Sequence, residues 1–405
     1  RTIVAFHGAY VADPMSNILK MGAIVFVGVS FLYARDYLRA NDLNRGEYYL
    51  LGLFGLLGMM IMMSANSLLT MYLGLETLAL SMYALVAIDR KNVTSAEAAM
   101  KYFMLGAIAS GSLLYGISWV YGVTGSLQFD EIAARISADP SINNLPLWFG
   151  LAFLIVGIAF KFGAVPFHMW LPDVYQGART PVTVYLASAP KLAALAMLFR
   201  ILVYGLGGLQ ETWGDMLMIV AVLSLIVGNV VAIAQTNIKR MLGYSTIAHV
   251  GFILMAIYTG TADGYSSALF YTLTYVVGAA GACGIVILLS RRGYDAELLS
   301  DFKGLNARSP WFALMMLFLM FSMAGVPPFV GFFAKLNVIS AVLDIGGTGL
   351  AVLMVLASVV GAYYYLRVIW YMYFEASDDL AVLQASTDTR LVLSLNAVAV
   401  LALGI

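Results

Sequence analysis

The sequence predicts an all-α, polytopic membrane protein, with about twelve transmembrane helices arranged as two inverted five-helix repeats, each carrying a proline-broken helix. Three observations lead there: the composition, the alternation of basic residues between loops, and two prolines placed inside apolar runs. The chain has 405 residues, 62% apolar and 11% charged, with a mean hydropathy of +0.89. A soluble domain carries about 25% charged residues, so this chain cannot cover a water-facing surface and lipid is its solvent. Its 22 basic and 22 acidic residues balance, which gives no electrostatic case for a nucleic-acid partner. Cys283 is the single cysteine, which excludes an internal disulfide, a CxxC pair or a chain-held iron–sulfur cluster.

A spanning helix needs about 20 apolar residues. Runs of that kind cover roughly 16–34, 48–64, 67–88, 98–122, 146–170, 181–204, 213–235, 240–259, 264–290, 310–341, 347–374 and 391–405. Alternate connections carry the cations: Arg35, Arg39 and Arg45; Arg90 and Lys91; Arg179; Lys239 and Arg240; Arg291, Arg292, Lys303 and Arg308; Arg367 and Arg390. Those between them are acidic or neutral, with Asp130, Glu131 and Asp139 beside one Arg135, then Glu211, Asp215, Asp263 and Asp344. Basic loops face the cytoplasm, so the first helix ends inside and both ends of this stretch lie outside. A start at Arg1 and an end inside LVLSLNAVAVLALGI read as an internal piece of a longer protein.

The fifth run contains Pro166, which frees the carbonyl of Phe162, and the tenth contains Pro327 and Pro328 in a stretch too long for one crossing. Proline inside a helix breaks the hydrogen-bond ladder, and within a membrane the freed groups need a partner or a wet cavity. The breaks lie five helices apart. The expected units are therefore 1–46, an N-terminal helix and loop; 47–205, the first repeat; 206–375, a second, inverted repeat; and 376–405, a truncated C-terminal helix. Inverted repeats with broken helices mark ion paths in transporters. The two breaks read AFKFGAVPFHMW and AGVPPFVGFFAK, with lysine and proline in opposite order, which fits an inversion.

Glu76, Lys161, Lys191, His249 and Lys335 fall near the middle of apolar runs. A charge at that depth costs about 2.5–3.5 kcal/mol on insertion scales, so several together imply a shared polar interior. A buried lysine can hold or release a proton as a neighbouring carboxylate changes, whereas arginine stays protonated. Lysine in mid-membrane with arginine mostly in loops therefore points to proton movement. The structural alternatives are a neutral, hydrogen-bonded Glu76 and lysines fixed in ion pairs. Lys101 fits two readings, an i,i+4 pair with Glu97 or a proton role. His249 is equally a hydrogen-bonded core residue or a proton-exchanging one, and His168 reads as a loop residue. Gly278, Gly281 and Gly284 lie in an apolar span and read as close helix packing rather than a nucleotide loop. The Met-rich runs read as filler, and AYYYLR as an interfacial belt.

The phrases FKFGAVPFHMWLPDVYQGARTPVT, QTNIKRMLGYSTIAHVGF and MAGVPPFVGFFAKLNV, with GLETLALSMYAL upstream, resemble the antiporter-like membrane subunits of proton-pumping NADH:quinone oxidoreductase, complex I. The resemblance covers essentially the whole chain and implies two further helices ahead of it. It implies a proton-translocating subunit of an H+-translocating NADH:quinone oxidoreductase in the bacterial inner membrane. NAD, FMN, iron–sulfur clusters and quinone would belong to the complex as a whole, with no cofactor in this chain; its partners would be neighbouring antiporter-like subunits and lipid. By position, Glu76 and Lys161 correspond to the family's glutamate–lysine pair, Lys191 to its central lysine, Lys335 to its terminal lysine, and Lys101 and His249 to accessory polar sites. Arg179 departs from the family's pattern, which has proline there. A stand-alone or Mrp-type cation/proton antiporter subunit and a static scaffold are the competing readings.

Overall fold

The computed structural model describes residues 2–290, 293–377 and 381–405; Arg1, Arg291 and Arg292, used in the sequence reading, lie outside them. An antiparallel hairpin of β1 (Ile3–Ala5) and β2 (Tyr10–Ala12) leads into α1 (Pro14–Ala40). The Asp13 carboxylate accepts the Ser16 N–H at 2.8 Å and Pro14 opens the first turn, a side-chain cap followed by a residue that needs no backbone donor there. Helix α1 runs further than its apolar core predicts, so Arg35 and Arg39 ride on its last turns.

Next come α2 (Gly46–Ser64), α3 (Leu68–Val86) and α4 (Val93–Thr124). The acidic connection with Asp130, Glu131 and Asp139 holds α5 (Phe129–Ala138), whose Phe129, Ile132 and Ile136 are buried. Its apolar spacing is helical, but it is too short and too charged to register as a span. α6 (Leu145–Phe162) stops at Gly163, which has φ +78°. Pro166 therefore lies in the turn after the helix and not in mid-helix, because the left-handed glycine has already closed the ladder. Three short helices follow: α7 (Trp170–Gly177), α8 (Thr180–Ala187) and α9 (Ala189–Leu198), then a π-helical turn at Phe199–Gly205. The sixth expected span is thus broken too, at Ser188, two residues before Pro190.

The remainder comprises α10 (Gln210–Ile233), α11 (Ile238–Tyr258), α12 (Ala262–Leu289), α13 (Leu305–Arg308), α14 (Pro310–Ala324), α15 (Val330–Asp344), α16 (Thr348–Phe374) and α17 (Thr387–Ala402). Ten helical segments among the described residues are long and apolar enough to cross a membrane. The tenth expected span is divided between α14 and α15, 15 residues each, and the last is the 16-residue α17. Segments Thr180–Gly205, Ile238–Tyr258 and Ala262–Leu289 are the most enclosed, 94%, 89% and 83% buried, and form the centre around which the others pack.

Glycine sets the closest packing. A Cβ on Gly58 would lie 2.5 Å from the Leu78 nitrogen, and one on Gly74 2.8 Å from that of Met62, so α2 and α3 touch backbone to backbone. α10 and α11 do the same through Gly228 and Gly251 (2.6 Å from Ala248 N, 2.9 Å from Leu225 N). On α12, a Cβ at Gly281 would meet Leu319 and one at Gly284 would meet Tyr33, so those glycines are packing residues, as read.

The two halves repeat one set of hydrogen bonds. Ser67 bridges Gln128, and Asn237 bridges Leu298. Leu68 N donates to Leu127 O at 2.9 Å, and Ile238 N to Glu297 O at 2.7 Å. Phe129 N donates to Asn66 O, and Leu299 N to Thr236 O. At the helix breaks, Ala164 N donates to Ala159 O and Val326 N to Phe321 O, around Gly163 and Gly325, both at positive φ. Matching these glycines corrects the lysine–proline argument. A unit turned over in the membrane keeps its chain order, and Lys161 precedes its glycine whereas Lys335 follows, so the two lysines are not counterparts.

Candidate proton-transfer site

Glu76 lies on α3 facing α4. Ser110 Oγ donates to its Oε1 at 2.5 Å. The same Oγ lies 2.9 Å from the Tyr72 hydroxyl; its one proton is committed to Glu76, so Tyr72 donates to it. Lys161 occupies the last turn of α6 and is 9% exposed. Unsatisfied carbonyls and the negative end of the helix dipole collect there, which favours a cation. Glu76 and Lys161 line one narrow cavity of about 20 Å³ between α3, α4 and α6, together with Tyr83, Tyr102 and Ser110. The space between its walls admits roughly one water. Glu76 and Lys161 face this space without a direct ion pair. Among the described residues no partner lies within hydrogen-bond or ion-pair distance of the Lys161 ammonium, and Ser110 holds the carboxylate instead.

Lys191, 3% exposed, follows the break at Ser188. Its Nζ donates to Phe162 O at 2.8 Å, the last carbonyl of α6, and sits 5.8 Å from the Trp170 ring. Trp170 is held by its indole N–H on Phe160 O and by stacking on Tyr102. Lys335, 8% exposed, does the same in the other half. Its Nζ donates to Ala324 O at 2.9 Å, the last carbonyl of α14, and lies 5.4 Å from the Phe252 ring. The counterpart of Lys335 at a helix break is therefore Lys191, not Lys161. Pro327 and Pro328 shape the turn that brings α15 back beneath that carbonyl.

Lys335 shares a second cavity, about 20 Å³, with His249, Tyr271, Tyr275 and Ser322. His249 is 7% exposed. Its Nδ1 is 2.7 Å from the Tyr271 hydroxyl and its Nε2 2.9 Å from that of Tyr365. The second cavity lies between α11, α12, α14 and α15, where the first lies between α3, α4 and α6.

Lys101 belongs elsewhere. It forms the i,i+4 pair with Glu97 at 2.9 Å and a second pair with Asp173 at 2.9 Å, with its side chain 46% exposed. Arg240 reaches the same Asp173 at 2.6 Å, and these charges line an open cleft where α4, α7 and α11 meet. His168 lies in the turn between α6 and α7, beside Tyr244, and lines neither cavity.

The sequence reading missed several buried ionic groups. Arg200, inside LAMLFRILVYG, pairs with Asp13 at 2.7 Å and donates to Met63 O; an arginine within an apolar run was the available signal. Lys239 is 1% exposed, bonded to Ala178 O and Glu297. Arg179, the departure from the family's proline, joins Asp89 at 2.6 Å to Asp295, which also accepts from Tyr37. It ties the α3–α4 loop to the segment after α12. AYYYLR is only partly a belt: Tyr364 and Tyr365 are buried, and Arg367 caps the end of α10 through Ile233 O and Gln235 O.

The fold and site define a membrane-embedded, proton-handling helical bundle of the antiporter type. The chain belongs to the NADH:quinone oxidoreductase/Mrp antiporter transmembrane family, whose model matches residues 65–361. It is 58% identical over 404 residues to NADH-quinone oxidoreductase subunit N of Thioalkalivibrio sulfidiphilus, covering 100% of this chain and 84% of that one. It is 53% identical to subunit N of Thiobacillus denitrificans, covering 100% and 83%. Among solved structures, a chain of respiratory complex I from Thermus thermophilus matches with a TM-score of 0.84 and 34% identity, over 100% of this chain and 86% of that one. A chain of the Mrp complex from Dietzia sp. matches at 0.85 with 22% identity, over 98% and 81%, a likeness of fold.

Proposed function

We propose that this chain is the N-type, proton-translocating membrane-arm subunit of a bacterial NADH:quinone oxidoreductase. In this reading it sits in the inner membrane against other antiporter-like subunits and lipid. The NAD, flavin, iron–sulfur and quinone chemistry takes place on other chains. Glu76, Lys161, Lys191 and Lys335 carry the proton, with Lys101 and His249 as accessory groups. The units are 47–205 and 206–375, flanked by 1–46 and 376–405, the second repeat inverted relative to the first; superposition of the two about an axis in the membrane plane, with Gly163 on Gly325, tests that division.

One observation carries the reading: two narrow clefts in the bundle, each placing a helix-break lysine with a second ionisable group, Glu76 in one and His249 in the other. The chemistry follows from what each group can do. Among the described residues Lys161 has no fixed partner, so its proton exchanges through cavity water with Glu76. Lys191 and Lys335 each keep one bond to a backbone carbonyl, which holds the amine in place whether charged or neutral. Arginine could not take these positions, because it does not release its proton. Redox events elsewhere in the complex need only change the charge next to Glu76 to alter which amine holds a proton.

Lys335→Met tests this. The expected result is an assembled complex with weakened NADH-driven proton uptake and slowed quinone reduction in inside-out vesicles. Parent rates of both would mean that Lys335 is structural.

A further inference from the structure

In the break between α6 and α7, the N–H groups of Gly163, Ala164, Val165 and Phe167 all have acceptors, and one acceptor comes from far along the chain. Gly163 N donates to Phe160 O, Ala164 N to Ala159 O and Phe167 N to Ala164 O, all within the helix end and its turn. Pro166 has no N–H, so the helical partner of the Phe162 carbonyl is missing, and Lys191 Nζ takes its place. The Val165 N–H reaches outside the turn, to Ser224 Oγ of α10 at 2.9 Å. Ser224 is fully buried. Its own proton is committed to Val220 O at 2.7 Å, so towards Val165 the hydroxyl can only accept. The break between α14 and α15 uses the same device within its own hairpin, where Ser322 Oγ accepts the Gly331 N–H at 3.2 Å. At the first break the acceptor stands on a helix that is itself held backbone to backbone against α11 by Gly228, one turn beyond Ser224.

We infer that Ser224 is a positioning residue for Lys191: it fixes the turn that presents the Phe162 carbonyl to the amine. The inference rests on the relay reading above and adds a residue to it. A buried N–H at membrane depth has no bulk water to turn to, and leaving it without an acceptor is costly. If position 224 cannot accept, the turn must re-seat Val165 to find another partner. Phe162 O, three residues back, moves with it, and Lys191 loses the hydrogen bond that sets its place. Ser224 itself exchanges no proton with the path, because its hydrogen stays in the bond to Val220 O. A serine bonded to its own helix is not by itself a signal of such a role. Ser30 on α1 makes the same bond, to Phe26 O at 2.7 Å, and is likewise buried, but it serves no helix break. What separates Ser224 is its second bond, across to a proline turn whose carbonyl holds a lysine.

The experiment uses the intact complex in inside-out membrane vesicles, its amount fixed by blue-native gel, with NADH-driven proton uptake and quinone reduction measured in H2O and D2O. Ser224→Ala removes the acceptor and keeps the helix. Uptake and quinone reduction per assembled complex are expected to fall together by about tenfold, the factor that an unsatisfied buried donor is worth. The KM for NADH should stay at the parent value, and the solvent isotope effect should grow, because the proton step at Lys191 is the one slowed. Ser224→Thr keeps the acceptor and should restore both rate and isotope effect. Ser30→Ala is the control and should match the parent in each. If Ser224→Ala fails to assemble, Ser224→Cys, whose sulfur is a weak acceptor, is read by the same criteria. Parent rates in the Ser224 variant alongside a slowed Lys335→Met would overturn the positioning role and leave the relay standing. Slowing with the parent isotope effect would overturn it too, since a general loosening of the bundle would do that. Parent rates in Lys335→Met as well would overturn both.

Discussion

Replacing Ser110 with alanine removes the hydroxyl that is hydrogen-bonded to Glu76. That hydroxyl donates at 2.5 Å, and a hydrogen bond to an ionised group contributes about 1.5–3 kcal/mol. Glu76 is only partly buried, so the lower end applies, about tenfold in the population of the carboxylate released from Ser110. The freed carboxylate shares a cavity with the Lys161 ammonium, which has no other partner among the described residues. At roughly 5 Å and an effective dielectric of about 20 the attraction is about 3 kcal/mol, which favours a standing ion pair and holds the proton on Lys161. NADH-driven proton uptake per assembled complex should then fall by about tenfold. Ser110→Thr keeps the hydroxyl and should retain most of the activity. The decisive measurement is a double-mutant cycle. In a Glu76→Gln background, Ser110→Ala should add little, because the group it acts through has gone. An equal factor in both backgrounds would show that Ser110 acts independently of Glu76 and would refute the reasoning.

Lys161→Arg keeps the charge at the end of α6 but cannot release a proton; assembled complex with impaired proton uptake is expected, and parent-like uptake would make Lys161 a fixed charge. Burial pushes the Asp13 carboxyl up, but the Arg200 guanidinium and the Ser16 backbone N–H outweigh it and hold it below the usual carboxylate range. Its contribution to stability is thus present above the unfolded value of about 3.9 and lost only as pH falls through the lower folded value. Asp13→Asn strands Arg200 and should cost about 3 kcal/mol. Thermal unfolding should show the same penalty from about pH 8 to about pH 5; a penalty that fades by pH 5 contradicts the assignment. Gly58→Val would place side-chain atoms where the Leu78 backbone lies 2.5 Å from a Cβ, so α2 and α3 must part. Blue-native gels should show little assembled complex, and a normal amount would mean that the helices can separate cheaply.

The membrane class and the helix-break residues were legible because lipid imposes a simple code: length, apolarity, and the sign of the loops. Glu76, Lys161, Lys191, His249 and Lys335 stood out for the same reason, as costly exceptions in apolar runs. What each touches was not legible. The partner of Lys191 is a carbonyl, Phe162 O, that any residue would supply, and its place depends on a glycine turning at positive φ. Ser110 carries no charge, so nothing in its sequence neighbourhood announces that it holds Glu76. Tyr365 sits in a cluster whose composition equally suits a membrane interface, and only the packing of α16 on α11 turns it inward. The break at Ser188 was hidden because the residues on both sides are helix-compatible and equally apolar.

The backbone contacts of α2 with α3 and of α10 with α11 limit how this molecule can work. Where main chains touch through Gly58, Gly74, Gly228 and Gly251, sliding one helix past the other drives atoms together within a fraction of an ångström. Each hairpin therefore behaves as a single stiff plank. A carrier that opens by sliding helices past each other within one half needs joints in these places. This protein has clamps there, and the Arg179 ionic cluster adds another across the two halves. Its cargo must be small enough to pass while the planks stand still, handed on by hydroxyl rotations, amine swings and the odd water, and the switch that directs it is a change of charge in a static frame.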